Sequence, residues 1–224
     1  MKRQLWRHAL KWRFRLFQRH RYRNLVIERL ENDLPVVVLP QVFNPKLFRS
    51  GEFLVQELGR DGLLQPAKRV LDLGTGSGAG AVTAARAGCQ VVAVDINPAA
   101  VRCTRINALL NEVEERVDAR QGDLFEPVAG QRFDLVLFNP PYYRGIPSDP
   151  LDQAWRAPDV IERFAAGLDG HLTPSGQALL VLSSDGERNA FLAALHAGGF
   201  ITRAVARRDL GNETMTVYQV ARAC

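Results

Sequence analysis

The chain has 224 residues, of which 46% are hydrophobic and 24% are charged, and its formal net charge is +5. This length suits a single well-packed globular domain, and the apolar content is ordinary for a soluble globular protein. No apolar stretch approaches the roughly 18 residues that a membrane helix needs, so we expect no transmembrane segment.

Cysteine and histidine spacing does not indicate a metal site. The three cysteines lack Cys-x-x-Cys spacing, and we expect two buried small hydrophobes and one tail residue in a reducing compartment. The four histidines are too scattered to form a ligand set. These residues are Cys89, Cys103, Cys224, His8, His20, His171 and His196. We therefore expect a cytoplasmic protein that uses no metal ion.

Positive charge is concentrated at the amino terminus. Nine of the 29 Lys and Arg residues lie within residues 1–23, which contain no acidic residue, whereas the remaining 20 face 24 acidic residues. Basic side chains recur there every four positions with Leu, Trp and Phe between them, so the pattern predicts a basic amphipathic helix within a helical stretch over 1–30. Three uses stay open: packing against the rest of the chain, contact with RNA phosphates, and binding to a membrane surface or targeting.

The rest of the chain alternates between strands and helices. We divide it at residue 40 into a helical extension with the start of its connector, residues 1–40, and a main domain, residues 41–224. The proline-punctuated connector runs over 31–50 and so crosses this boundary. After a helix over 51–59, strands are predicted near 69–73, 90–95, 117–120, 133–138, 177–183, 200–206 and 214–220, with helices near 79–87, 98–111, 157–168 and 187–197. The gap between the last two strands is too short for a parallel crossover, so the final strand should run antiparallel.

A glycine-rich turn follows the first of these strands. The segment 70–78 reads Val-Leu-Asp-Leu-Gly-Thr-Gly-Ser-Gly, and its glycines permit a tight turn and the close approach of a ligand to the backbone. The next strand ends in Asp95, at roughly the 20-residue spacing of a carboxylate that binds a ribose. The third unit ends in Gly122-Asp123-Leu124. Each unit therefore delivers a glycine or a polar residue to one edge of the sheet.

The fourth strand ends in the segment Asn139-Pro140-Pro141-Tyr142. Proline lacks the N–H that a strand ladder needs, so the chain leaves the sheet at the strand's carboxyl end, where open α/β sheets bind ligands. The Asn139 oxygen and the Pro140 carbonyl are suited to accept hydrogens from a flat, NH-bearing group, and Tyr142 is suited to cover its face. A plain strand-to-loop exit is the alternative for this motif taken alone.

A nicotinamide-binding fold is an alternative for the glycine turn. The spacing Gly74-x-Gly76-x-x-Ala79 fits the dinucleotide fingerprint with alanine in the third position. Asp72 lies ahead of the glycines, however, and the fourth strand ends in an amide that hydride transfer does not need. Both features disfavour the nicotinamide interpretation.

Taken together, Asp72-x-Gly74-x-Gly76-x-Gly78, Asp95, Asp123 and the segment 139–142 resemble the motifs of class I S-adenosylmethionine-dependent methyltransferases. Within that class the chain resembles the small-domain group, and most closely the short branch of the HemK/PrmC protein-glutamine N5-methyltransferases. The resemblance covers residues 41–220 and includes Asp-Gln-Ala-Trp at 152–155 and Gly-Asn-Glu-Thr-Met-Thr-Val at 211–217. The segment 44–54 lacks the acidic motif usual in the short branch. Instead, Val42-Phe43 and Ser50-Gly51 look more like small-domain RNA methyltransferases of the guanine-N2 type.

This resemblance implies a Rossmann-like α/β sheet of seven strands and the cofactor S-adenosyl-L-methionine. It implies that the catalytic residues are Asn139, Pro140, Pro141 and Tyr142. The residues implied to bind the cofactor are Asp72, Gly74, Thr75, Gly76, Gly78, Asp95, Ile96, Asp123, Leu124 and Asn139. Asp95 is expected on the ribose, and Asp123 with the Leu124 backbone on the adenine. Asp72 is equally open to a structural role in holding the turn.

The resemblance favours methyl transfer to a planar nitrogen, with a protein glutamine as the first expectation and a translation factor as one such substrate. Methylation of an RNA or DNA base, at adenine N6 or guanine N2, is the alternative that the basic N-terminal segment supports. The third alternative is a module that binds the cofactor without catalysis and docks through its basic helix. An intact Asn139-Pro140-Pro141-Tyr142 segment argues against the third.

Overall fold

The computed structural model describes residues 24–60, 63–66, 68–148, 152–211 and 213–223. The predicted basic helix of residues 1–23 lies outside these ranges, so its existence and its use stay predictions, and so does the domain division at residue 40. None of the described helices is long and apolar enough to span a membrane.

The described part of the chain begins with a β-hairpin. Strands β1 (Val26–Leu30) and β2 (Leu34–Val38) pair antiparallel, with Leu30 opposite Leu34. The prediction of a helix up to residue 30 is therefore wrong for β1. Both of these leucines are buried in the core, and the branched side chains of the two strands favour an extended backbone. The basic periodicity that indicated a helix ends at Arg23, before this hairpin.

A seven-stranded sheet forms the centre of the domain and confirms the predicted fold class. Its strands are β3 (Arg69–Leu73), β4 (Gln90–Asp95), β5 (Val117–Gln121), β6 (Phe133–Phe138), β7 (Leu172–Ser183), β8 (Phe200–Asp209) and β9 (Thr214–Arg222). The helices are α1 (Ser50–Leu58), α2 (Ala79–Arg86), α3 (Pro98–Leu110), α4 (Val160–His171) and α5 (Arg188–Ala197).

The strand order is β5-β4-β3-β6-β7-β9-β8. The first five strands of this order run parallel, whereas β9 runs antiparallel to both of its neighbours, β7 and β8. The predicted antiparallel final strand is therefore confirmed. The order reverses between β3 and β6, and connections that leave in opposite directions open a crevice at the carboxyl ends of these strands.

Helices cover both faces of the sheet. Side chains alternate along β3, so Val70 packs among residues of α1, α2 and α3, whereas Leu71 and Leu73 pack among residues of α4 and α5. Phe164 of α4 is fully buried in the second of these cores, and burial of such a side chain contributes about 1.5–3 kcal/mol. The two cores fix the sheet edge from which the site loops extend.

Two elements begin three or more residues from the predicted position. The helix expected over 157–168 is α4, which begins at Val160. Ala157 is excluded from it because Pro158 disfavours the helical conformation at the residue before it. Strand β7 was predicted from 177 but begins at Leu172, and its pairing with β6 is interrupted between Phe133 and Leu135. Neither shift moves the carboxyl ends of the strands.

Candidate active site

Two loops leave the sheet side by side at the reversal of strand order. Leu73 and Phe138 are paired across β3 and β6, so Gly74 and Asn139 follow them at the same level. Both residues line a cavity of about 410 Å³. This volume falls within the range of about 300–1,000 Å³ that is usual for small-molecule pockets, and the position is where open α/β sheets bind ligands.

The turn between β3 and α2 depends on its glycines. Gly74, Gly76 and Gly78 have φ angles of 61°, 57° and 82°, which residues with a Cβ rarely adopt. Gly74 and Gly76 face the cavity. At Gly78 a Cβ would lie 2.8 Å from the Cα of Thr104, so this glycine serves the close packing of α2 against α3.

Asp95 ends β4 beside the glycine turn. Its Oδ2 accepts a hydrogen bond of 2.8 Å from the Gly76 N–H, and its Oδ1 accepts one of 2.9 Å from the Asn97 N–H. Burial raises the pKa of this carboxyl, and the backbone hydrogen bonds oppose the rise. A carboxylate offers about four acceptor sites. Asp95 can therefore hold the turn and still accept hydroxyl donors from the cavity that it lines.

Asp72 lies behind the turn and not in the cavity wall. Its Oδ2 accepts hydrogen bonds from the Thr75 hydroxyl at 2.7 Å and from the Ala81 N–H at 3.0 Å. The carboxyl is 5% exposed, and burial raises its pKa to about 6. The Ala81 N–H lies in the first turn of α2, where main-chain N–H groups have no partner within the helix. Asp72 therefore caps this helix, although it belongs to strand β3. This geometry supports the structural alternative for Asp72.

The loop after β5 closes another side of the cavity. Asp123 and Leu124 line it, and Leu124 has a φ of 48°, a left-handed conformation that costs a residue with a side chain roughly 1–2 kcal/mol. Strain of this kind concentrates at ligand sites. A Cβ at Gly122 would lie 2.2 Å from Pro127, so only glycine fits before this loop.

Asp123 is paired with Arg163 of α4. The Arg163 Nη1 donates a 2.8 Å hydrogen bond to Asp123, and the same guanidinium lies 3.7 Å from Asp159 and 3.9 Å from Glu126. The hydrogen bond to Asp123 is the main cause that raises the pKa of Arg163. These side chains are more than a third exposed, so the pairs add little stability. Their effect is a charged rim at this side of the cavity.

The amide of Asn139 is held at both ends. Its Nδ2 donates a hydrogen bond of 3.1 Å to the Ser50 Oγ, and the Tyr142 hydroxyl donates one of 2.8 Å to its Oδ1. The Tyr142 oxygen also lies 3.8 Å from the Met215 sulfur. Burial raises the pKa of Tyr142 far above its ordinary value, which keeps the phenol protonated as a donor. Since a carbonyl oxygen has two lone pairs, Oδ1 can accept a second hydrogen.

Aromatic rings line one side of the cavity. The Trp155 ring packs edge-on against Phe48, with 4.3 Å between centroids, and lies 5.4 Å from Phe43 and 6.4 Å from Tyr142. Phe43 and Tyr142 line the cavity. Trp155 and Met215 belong to the segments 152–155 and 211–217, so both segments that carry the family resemblance reach the site, although residue 212 is not among the described residues.

The structure brings most of the predicted site residues together. Those that line the cavity are Gly74, Gly76, Asp95, Ile96, Asp123, Leu124, Asn139, Pro140, Pro141 and Tyr142. Asp72, Thr75 and Gly78 lie behind it and shape the turn. Sequence reasoning missed the roles of Ser50, Phe43 and Arg163, because each meets its partner across a long stretch of chain. Ser50 and Asn139, for example, are 89 positions apart.

The strand order and the crevice at the glycine turn define a Rossmann-like methyltransferase domain. The family model described as "Methyltransferase small domain" matches residues 33–202. The chain belongs to this family, which confirms the resemblance drawn from its motifs.

Named relatives agree with this family. A ribosomal protein uL3 glutamine methyltransferase of Bradyrhizobium diazoefficiens is 35% identical over 164 residues, which cover 64% of this chain and 51% of the relative. A Methanocaldococcus jannaschii protein named as a candidate N5-glutamine methyltransferase is 31% identical over 164 residues, 69% of this chain and 82% of the relative. The chain thus spans about half the length of the first relative.

A solved structure matches the fold and carries ligands. The T. thermophilus 16S rRNA N2 methyltransferase, in complex with AdoMet and guanosine, has a TM-score of 0.62 and 26% identity. The match covers 89% of this chain and 50% of that chain.

Proposed function

We propose that the protein is an S-adenosylmethionine-dependent N-methyltransferase whose acceptor is the side-chain amide of a protein glutamine. The observation that carries the proposal is the amide of Asn139, which lines the cavity next to the glycine turn and is held between Ser50 and Tyr142. A fixed acceptor oxygen at this place suits a planar group that bears N–H.

The residues around the cavity fit this cofactor. Asp95 offers acceptor oxygens to two ribose hydroxyls, and the partly exposed side chains of Ile96 and Leu124 offer apolar surface to a flat base. A Cβ on Gly74 would lie 3.7 Å from Phe138 and one on Gly76 would lie 3.6 Å from Phe43. Because neither glycine carries a Cβ, the amino-acid end of a ligand can reach the backbone of the turn beside the Phe138 ring and the Phe43 Cβ. When bound, S-adenosylmethionine supplies a methyl activated by its sulfonium charge, and transfer forms an N–C bond, returns the S–C electrons to sulfur and releases a proton to water.

Asn139 and Pro140 make the acceptor nitrogen reactive. The lone pair of an amide nitrogen is delocalised, so the nitrogen is a poor nucleophile. Hydrogen bonds from its N–H groups to the Asn139 Oδ1 and the Pro140 carbonyl favour a tetrahedral nitrogen, which resembles the transition state more than the ground state. Gly74 and Asn139 follow the paired residues Leu73 and Phe138, so a cofactor held at the glycine turn and an acceptor held at Asn139 would lie side by side.

A protein of the translation machinery is the proposed substrate. The two relatives above are named as glutamine methyltransferases, and one of them is named for ribosomal protein uL3. The positions of Trp155 and Met215 beside Tyr142 support the same choice, because both lie in segments that resemble the HemK/PrmC short branch.

Methylation of an RNA base is the second candidate. The T. thermophilus rRNA enzyme, solved with guanosine, is 26% identical to this chain. Phe43 lines the cavity and is an aromatic residue of the kind on which bases stack, and nine basic residues lie within residues 1–23. A base amino group is also planar, so the Asn139 amide alone does not separate the two candidates.

Methyl labelling of a whole-cell lysate separates them. The protein is incubated with methyl-labelled S-adenosylmethionine and lysate, with Asn139→Ala as the control, and the products are treated with protease or with nuclease. The proposal predicts label that protease releases, and peptide mass spectrometry should place the methyl on a glutamine. Label released by nuclease supports the RNA candidate. Label in neither fraction contradicts both.

If the substrate is RNA, the basic segment supplies a second test. Binding to RNA should then weaken with salt, with a log–log slope of about −0.7 for each phosphate neutralised. Replacing Arg7, Lys11, Arg15 and Arg19 with Gln should flatten that slope by up to about three. RNA binding that is absent or independent of salt removes this support.

A further inference from the structure

Ser50, which the sequence did not indicate as a site residue, is held in one position by its neighbours in the chain. It is the first residue of α1 and is fully buried, and its Oγ accepts the 3.1 Å hydrogen bond from the Asn139 Nδ2. Arg49, just before it, has a φ of 62°. At Gly51, just after it, a Cβ would lie 2.6 Å from the Pro45 Cβ. A strained residue and an obligatory glycine therefore flank one buried hydroxyl that contacts the Asn139 amide.

The Asn139 amide needs such support. The terminal torsion of an Asn side chain has a broad energy well, so an amide without partners rotates. Tyr142 holds the oxygen end at 2.8 Å, and Ser50 holds the nitrogen end. With one end released, the plane of the amide is no longer fixed relative to the cavity. A hydrogen bond donated by Nδ2 also strengthens Oδ1 as an acceptor, because linked hydrogen bonds polarise one another.

We propose that Ser50 is a positioning residue for methyl transfer, which acts by fixing the plane of the Asn139 amide together with the Tyr142 hydroxyl. This inference rests on the proposed function, and it assigns to the start of α1 a part in turnover. Ser50 does not line the cavity, so it acts through Asn139 and not by contact with the substrate.

Three variants test the pair of hydroxyls. Ser50→Ala and Tyr142→Phe each remove one partner of the amide, and each should lower the rate of methyl incorporation into lysate about 10- to 100-fold, the loss usual for a displaced catalytic group. The calorimetric Kd for S-adenosylmethionine should stay at the parent value. Because either change alone frees the amide, the double variant should lose little more than one single variant. Thr216→Val is the control, since that buried hydroxyl has no partner among the described residues.

Two readouts keep this inference separate from the proposed function. Turnover is measured as methyl incorporation into lysate from labelled S-adenosylmethionine. By NMR, the Asn139 side-chain amide protons should exchange with water faster in Ser50→Ala than in the parent and the Thr216→Val control. Unchanged exchange in a folded Ser50→Ala protein overturns the inference, as does a parental rate of methyl incorporation or a double variant whose losses multiply. Parental turnover by Asn139→Ala overturns the proposed function itself.

Discussion

The main-chain N–H of Gly76 donates a hydrogen bond of 2.8 Å to Oδ2 of Asp95. This bond joins the glycine turn after β3 to the end of the neighbouring strand β4. The residue expected to bind the ribose therefore also sets the shape of the loop expected to bind the amino-acid end of the cofactor. A change at Asp95 should affect both.

Asp95→Ala should weaken S-adenosylmethionine binding by about 1.5–3 kcal/mol, the range for losing hydrogen bonds to a charged group. Calorimetry measures this directly. Asp118→Ala is the matched control, because Asp118 lies on the adjacent strand with its side chain 57% exposed and paired with Arg120. Parental affinity in a folded Asp95→Ala protein, or tighter binding of NAD than of S-adenosylmethionine, contradicts the cofactor assignment.

Asp72 should make stability depend on pH. Burial raises its pKa from an ordinary value of 3.8 to about 6, so the native state holds this proton more tightly than the unfolded chain does. The resulting stabilisation is complete below about pH 4 and is lost as the pH rises through 6. It amounts to about 3 kcal/mol, since one pKa unit corresponds to about 1.4 kcal/mol.

Asp72→Asn should remove this dependence. The amide oxygen can still accept from Thr75 and Ala81, but it does not titrate in this range. Denaturant unfolding between pH 4 and 7.5 should therefore show a flatter profile than in the parent. An unchanged profile would show that the buried carboxyl is ionised throughout.

Gly78 and Gly130 should differ in their tolerance of alanine. Both have a positive φ, 82° and 73°, so each Ala variant incurs a backbone cost of about 1–2 kcal/mol. A Cβ at Gly130 meets nothing within 4 Å, whereas one at Gly78 lies 2.8 Å from the Thr104 Cα. Overpacking adds about 1–3 kcal/mol at Gly78 alone. Equal losses in the free energy of unfolding would show that α2 and α3 move apart at little cost.

The sheet could be predicted because its signals are local. Runs of branched residues mark the parallel strands, as in Val91–Val94, and the glycine turn and the prolines after Asn139 mark where strands end. The hairpin of β1 and β2, which begins at Val26, could not be found in this way, because the stronger periodicity upstream of it indicated a helix.

The supporting contacts of the site could not be predicted, because they join distant parts of the chain. Arg163 meets Asp123 across 40 positions, and Ser50 meets Asn139 across 89. The sequence indicated Tyr142 as a cover for the substrate. Its hydrogen bond to Asn139 adds an orienting role that depends on the backbone path through the two prolines.

The Asn139→Ala variant tests the central claim, that this amide holds the acceptor nitrogen for methyl transfer. Two quantities are measured on the same folded protein: the Kd for S-adenosylmethionine by calorimetry, and turnover as methyl incorporation into lysate. We expect the Kd to stay near the parent value and turnover to fall roughly 100-fold or more, the size of loss seen when one positioned hydrogen bond to a transition state is removed. Turnover close to that of the parent would contradict the claim and leave the Asn139-Pro140-Pro141-Tyr142 segment as a structural exit from the sheet.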